Sequence, residues 1–368
     1  MSILYDEGQQ AIATESRRVL DARMDKARLL ALLEQVGQHD TPFWDTAVEQ
    51  GWTALAIPEE HGGLGLGLIE LGLVAQACGA ATSGAPFLTG GYGVSQALVQ
   101  GSDAELAAQW LPKLASGEAI GCVAFAEGNA ALPPKPAVTF AGGAITGVKP
   151  AVPGGCAADV ALVWALSDSG VVLVVADLAG ASRKAVDSYD NSRLYADLTF
   201  AGTPATLIAS GEAARALALD VLARMAVVTA HEQVGGAEAL LYIARDYAVT
   251  RKAFGQPIGA FQSIKHRIAE MYGFVEVARA NCINAAASAD NLGGTDDFLT
   301  AAADARISAT EAYDTNSRDC VQIHGGIGVT WELGLHLHMR RARSLAVECG
   351  NLVFWEDLLV DRLAGEVA

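Results

Sequence analysis

From residue 5 to about 117 the apolar and polar positions read as helices. Ser16-Arg17-Arg18-Val19-Leu20 lies in a mixed stretch of helical type. Thr41-Pro42 before Phe43-Trp44-Asp45-Thr46-Ala47-Val48 predicts a helix start, because proline is tolerated in a first turn, where its missing N–H has no partner to lose. Gly62-Gly63-Leu64-Gly65 breaks the pattern, and apolar helices follow over about Leu68 to Cys78 and Ala104 to Leu114. Between 119 and about 208 the spacing changes. Ala119 to Phe125, Ala144 to Lys149, Val160 to Leu166, Val171 to Ala176 and Leu194 to Phe200 are short apolar or alternating runs. Ser167-Asp168-Ser169-Gly170 between two β-branched runs predicts a hairpin. Strands so spaced, with no helix between them, predict a small antiparallel sandwich or barrel. Helical spacing returns over Ala213 to Thr250, Gln262 to Asp290 and Asp296 to His324, long enough to need a bundle.

The fold class expected is therefore α+β in three parts. An N-terminal all-α domain spans 1–118, a middle antiparallel β domain 119–211, and a C-terminal four-helix bundle 212–368. Long helices with apolar faces also predict contacts between subunits.

Composition narrows the function. With 51% hydrophobic and 18% charged residues the chain is built to pack, not to stay disordered. A net charge of -17 argues against nucleic acid or an anionic membrane as partner, though a local basic pocket can still take a phosphorylated ligand. The six cysteines form no CxxC pair and no zinc spacing, so no metal site is expected, and reduced thiols point to the cytoplasm. The polar start MSILYDEGQQ does not read as a signal peptide, and no apolar run reaches the ~20 residues of a membrane helix.

Four stretches in order carry a resemblance. They are Pro58-Glu59-Glu60-His61-Gly62-Gly63-Leu64-Gly65, Ile145-Thr146-Gly147-Val148-Lys149, Arg251-Lys252-Ala253-Phe254-Gly255-Gln256-Pro257-Ile258 with Phe261-Gln262, and Gln322-Ile323-His324-Gly325-Gly326-Ile327-Gly328. In order and spacing the chain resembles the acyl-CoA dehydrogenases over almost its whole length. The resemblance implies that family's fold, FAD as cofactor, an acyl-CoA substrate oxidised to the 2-enoyl-CoA, and electron-transfer flavoprotein or a similar acceptor. It also implies that Arg251, Phe254 and Gln262, with Gln322, Ile323, His324, Gly325 and Gly326, reach the FAD of a neighbouring subunit. The chemistry suits a dinucleotide. Arg251 offers a fork of donors to a pyrophosphate, and Gly325-Gly326 lets backbone approach without a Cβ. Taken singly, Arg251 reads as an exposed helix-end cation and Gly325-Gly326 as a helix cap; the shared spacing outweighs both.

The chain departs from the family where chemistry is done. A carboxylate takes the α-proton of the thioester while flavin accepts the β-hydride. Family members place this Glu just before a Gly-Thr pair. Aligning Arg340-Arg341-Ala342-Arg343 with the family's Arg-Asp-Ala-Lys run puts Cys349 at that position, ahead of Gly350-Asn351, with Glu348 one residue early. The alternative position on the first C-terminal helix holds Met225. Glu232 lies seven residues further, about 10 Å along the axis. Glu348 reads either as a base displaced by one residue or as a solvated carboxylate beside the Arg340, Arg341 and Arg343 cluster. Glu232 reads as a helix-packing or surface acid, and Cys349 serves as a base only with a lowered pKa. Flavin contacts in the β part are also missing, with Ala126 and Ala151-Val152-Pro153 where the family has hydroxyls and an indole.

These departures resemble the non-base partner subunits of bacterial α2β2 acyl-CoA dehydrogenases of sterol side-chain type. Three readings follow. The chain completes a shared FAD site in a heterotetramer with a Glu-bearing homologue. Alternatively it is a self-sufficient homo-oligomer with Glu348 or another displaced base. A third reading is a flavin-binding scaffold or related oxidase or monooxygenase.

Overall fold

The computed structural model describes residues 5–84 and 86–367; the first four residues of the polar N-terminal stretch lie outside them. Six helices come first: α1 (Glu7–Arg23), α2 (Lys26–Leu33), α3 (Thr41–Glu49), α4 (Leu68–Ala80), α5 (Phe87–Gln100) and α6 (Ala104–Ser116). Asp40 caps α3 by accepting from the Phe43 N–H, with Pro42 in the first turn, as the Thr41-Pro42 signal predicts. Seven strands follow: β1 (Gly121–Ala124), β2 (Thr139–Ala141), β3 (Ala144–Val152), β4 (Val160–Ser167), β5 (Gly170–Asp177), β6 (Ser182–Ala185) and β7 (Ala196–Ser210). The last part holds α7 (Gly211–Thr250), the short hairpin β8 (Lys252–Ala253) and β9 (Gln256–Pro257), then α8 (Gln262–Leu292), α9 (Asp296–His324), α10 (Leu335–Leu345) and α11 (Leu352–Val367).

The strand pairings run in a closed circuit β4–β5–β7–β3–β2–β4, with β6 added to β7 and β1 to β4. Most pairs are antiparallel, as expected, but β4 takes β1 in parallel over four residues and β2 in parallel at one. Both faces of β4 are dry. Ala161, Val163 and Ala165 face the interior of the sheet, and Val160, Leu162 and Trp164 join the core shared with the helices. A strand buried on two sides reads as a continuous apolar run, so its period of two is hidden in the sequence.

In the bundle, α7 is buried from Met225 to Ala237 because α4, α8 and α9 surround it. Glycine sets the closest of these contacts. A Cβ on Gly79 of α4 would fall 1.8 Å from the Glu232 carbonyl oxygen, and one on Gly235 of α7 would fall 1.9 Å from that of Gln76. The two helices therefore touch backbone to backbone at the level of Glu232. Among the described residues no helix is long and apolar enough to cross a membrane.

Candidate active site

The sheet and the bundle enclose a cleft of about 1160 Å³. One wall comes from the sheet, with Val123, Phe125, Ala126 and the bulge Pro150-Ala151, where Ala151 has a left-handed φ of 46°. The opposite wall is Leu222 and Met225 of α7 and the turn Val347 to Asn351 that follows α10. Apolar walls of this size suit a large flat ligand held by few polar groups. The loop at Ala126 is held from behind. Lys149, fully buried, donates to the Phe125 carbonyl at 3.0 Å and pairs with Glu127 at 2.6 Å.

Glu348 faces this cleft but is not solvated, and its partner is not the Arg340, Arg341 and Arg343 cluster beside it in sequence. It is 5% exposed, and both carboxylate oxygens accept from Arg193: Nε at 3.0 Å and Nη2 at 2.6 Å. The Tyr195 hydroxyl donates a third bond at 2.5 Å. Burial, reinforced by the Glu348 charge, holds the Tyr195 phenol well above its usual range, so it stays a donor. A general base needs a free lone pair aimed at the proton it takes. A bidentate fork and a phenol take three of the four lone pairs of Glu348 and hold the carboxylate in place.

The fork belongs to a longer buried network. Arg193 also reaches Glu232 at 3.3 Å and the Gly84 carbonyl at 3.1 Å. Arg341 takes Glu232 at 2.7 Å and Asp190 at 2.6 Å, and donates to the Ser83 and Thr82 carbonyls. Glu232 is thus a packing acid, buried and shared by two guanidiniums. The chain of charges Asp190–Arg341–Glu232–Arg193–Glu348 ties the turn before α5, the loop between β6 and β7, α7 and the end of α10 together. Arg340 and Arg343, on other sides of the same helix, line the cleft instead.

A second buried arginine holds the turn itself. Arg306 of α9 donates through Nη2 to the carbonyls of Leu345, of Glu348 at 2.9 Å and of Gly350 at 3.5 Å. Trp355 Nε1 donates to the Cys349 carbonyl at 3.0 Å. Under these clamps Cys349 and Gly350 keep left-handed φ values of 53° and 89°. Cys349 faces the cleft with its sulfur 3.6 Å from Thr229 Oγ1. Burial, and then the Glu348 charge, push its thiol up to about 11, so it is not a thiolate at neutral pH.

Arg251 and its companions gather elsewhere. Arg251 caps α7; its carbonyl accepts from the Ile258 N–H at 2.8 Å, and Gln262 opens α8 just beyond. The Tyr247 ring stacks on His324 with centroids 4.1 Å apart, which brings the end of α9, Gln322 to Gly326, to the same end of the bundle. Ile323 and His324 are buried there, whereas Arg251, Gln262, Gln322, Gly325 and Gly326 are exposed. Phe254 and Gly255 form the two-residue turn between β8 and β9, both left-handed, leaving the Phe254 ring 95% exposed. None of these residues lines the cleft. Arg251 follows Met225 by 26 residues along α7, a separation of about 39 Å.

Two buried histidines give the fold an acid limit. Burial depresses His231 to about 4, and burial with the nearby Arg341 charge depresses His338 to about 3. The unfolded chain, with histidine near ~6.5, binds protons that the folded chain refuses. Stability from this source is complete above that value and is lost as pH falls toward 4. Thermal denaturation across that window should show Tm falling with pH; a flat profile would refute the assignment.

Known proteins share this architecture. Residues 6–118 match the acyl-CoA dehydrogenase N-terminal domain and residues 215–352 the acyl-CoA dehydrogenase C-terminal domain. The acyl-CoA dehydrogenase IpdE2 of Mycobacterium tuberculosis is 32% identical over 309 residues, 84% of this chain and 82% of its own. Among solved structures, the Tcur3481–Tcur3483 steroid ACAD variant superposes with a TM-score of 0.86 at 26% identity, covering 98% of this chain and 99% of that one. The ChsE4–ChsE5 complex from Mycobacterium tuberculosis gives 0.87 at 24% identity over 99% of each chain.

Proposed function

Because this chain belongs to the acyl-CoA dehydrogenase family, whose members are FAD-dependent oxidoreductases acting on acyl-CoA, we propose that it works as one subunit of an assembly in which FAD is shared between chains. The observation that carries this reading is the separation of about 39 Å along α7 between the cleft and the Arg251 end. That is farther than one extended dinucleotide reaches, so the two sets of residues serve different cofactor molecules. Exposed Arg251, Phe254, Gln262 and the Gln322 to Gly326 segment would complete the FAD site of a neighbouring subunit. FAD supplies the hydride acceptor. Arg251 would hold its pyrophosphate with a charge-assisted fork, and Gly325-Gly326 would admit backbone beside it.

The residues of the cleft fit a flavin ring by shape more than by polar contact. Ala126, Ala151 and Pro153 offer small apolar surface and Pro153 no N–H, while Ala151 commits its own N–H to Asp197 at 2.9 Å. The locked Glu348 and the protonated Cys349 leave proton abstraction to a Glu-bearing homologue. This favours the heterotetramer over the self-sufficient enzyme. The acyl-CoA is bound between sheet and bundle, and electrons leave to an electron-transfer flavoprotein or similar acceptor. The steroid ACAD and ChsE4–ChsE5 structures, by their names, hold two kinds of chain, and this arrangement is extended here to the present one.

Flavin content tests the sharing. Arg251→Ala removes an exposed side chain, so the fold should keep its Tm. Flavin per assembly should drop by tenfold or more, the loss of one charge-assisted bidentate contact. Undiminished flavin in the folded variant, read from absorbance, takes Arg251 out of the site.

A further inference from the structure

The geometry points to Met225, seated on Gly93, as the residue that sets how bulky an acyl group the cleft accepts. This rests on the reading of the cleft as an acyl-CoA site. α5 meets the sheet through a face of glycines: a Cβ on Gly90 would lie 2.5 Å from the Gly121 carbonyl oxygen of β1. One turn on, a Cβ on Gly93 would lie 2.5 Å from Met225 Sδ, 2.7 Å from Val123 Cγ2 and 3.1 Å from Met225 Cγ. Met225 and Val123 are both cleft residues, from opposite walls. The hollow left by the missing Cβ is therefore where the Met225 side chain lies back, 7% exposed, and the cleft is open to that extent.

Methionine makes this wall adjustable. Its unbranched thioether moves between rotamers at little cost, so displacement of Sδ by a methyl on Gly93 sends the side chain forward into the cleft instead of breaking the helix contact. Truncating it does the reverse. Behind this wall, on another face of α5, is a second, small cavity of about 20 Å³ lined by Leu88, Gly91, Tyr92 and Ser95. Shortening Met225 adds room on the side of the cleft that faces α5. Family members with a carboxylate at this position use it for proton transfer; here a flexible apolar side chain occupies the place and acts on size.

The two substitutions move the cleft in opposite directions while leaving its charged groups untouched. Gly93→Ala narrows it without altering any residue that lines it, and Met225→Ala widens it. The probes are butanoyl-CoA, hexadecanoyl-CoA and a CoA thioester with a branched, ring-bearing acyl group, each titrated into the purified chain without its homologue, so that only this cleft reports, and read by calorimetry. Met225→Ala should strengthen the bulky thioester relative to butanoyl-CoA by about tenfold, the worth of one or two buried methylenes. Gly93→Ala should weaken the bulky thioester by a similar factor and leave butanoyl-CoA within about twofold. Equal ratios in wild type and both folded variants would overturn the size role while leaving the acyl-CoA reading intact. If the wild-type chain binds none of the three thioesters, both the reading and the inference fall.

Discussion

Glu348→Gln is expected to destabilise the protein by about 3–5 kcal/mol, the usual effect of removing one partner of a buried ion pair. The substitution keeps shape but sets an amide NH2 against a guanidinium N–H, and leaves Arg193, fully buried, with Glu232 as its remaining carboxylate at 3.3 Å. Tyr195 loses the ionised acceptor of its 2.5 Å bond. The damage spreads along the network, because Glu232 then has to balance Arg193 and Arg341 together. Chemical denaturation reads the effect directly, and Tm should fall by several degrees. A carboxylate serving as a base would behave in the opposite way: its Gln variant would melt like the wild type and lose only turnover. A wild-type unfolding free energy for Glu348→Gln, within about 1 kcal/mol, would remove the anchoring role.

Local order was legible in the sequence; the site's charge pairing was not. Helices α7 and α9 begin and end within two residues of the stretches read from periodicity, because each is long and apolar on its packed faces, and α9 stops at Gly325. The β4–β5 hairpin follows from its turn chemistry. Glu348 is the contrast. Its sequence neighbours Arg340, Arg341 and Arg343 suggest its partners, yet the arginine that binds it stands 155 residues earlier. Three arginines within four helical positions cannot share a face, so Arg341 turns inward to Glu232 and Asp190 while the others turn to the cleft. Arg193 sits in a polar turn, Tyr189-Asp190-Asn191-Ser192-Arg193, whose composition reads as solvent-exposed. Only the docking of that loop onto α7 and α10 buries it. Arg306 gave no signal either, lying at an apolar stretch of α9 among alanines. The resemblance to a family singles out the Arg251 end by spacing, and the structure brings Arg251, Gln262 and the Gln322 to Gly326 segment to one end of the bundle. By register the resemblance singles out Cys349 as the position of the family's base, and the structure adds that the adjacent Glu348 is held by Arg193 and Tyr195.

Pairing with a Glu-bearing homologue is expected to raise turnover by 10²–10⁴-fold over this chain alone, the contribution of a positioned general base. The buried acidic and sulfhydryl groups at the cleft are otherwise engaged. Glu348 is held by Arg193 and Tyr195, and Glu232 by Arg193 and Arg341. Asp187, exposed at the rim, accepts from Asn191 at 3.0 Å. Cys349 keeps its proton, since burial puts its thiol at about 11. Met225 has none to exchange. The measurement is reduction of an artificial electron acceptor by the purified chain and by the co-expressed pair, with a bulky acyl-CoA. A Glu→Gln change at the homologue's base should return the pair to the feeble rate of the single chain while flavin content stays full. Those two readings together separate loss of the base from loss of the cofactor. Turnover by this chain alone in the ordinary enzymatic range of about 1–10³ s⁻¹ would sink the division of labour and require a base within its own cleft. With Glu348 committed on both oxygens, that base would first have to break the Arg193 fork, and the rate should then rise in Arg193→Met under conditions where the variant stays folded. The shared-site reading requires the opposite: Arg193→Met loses stability and gains no turnover.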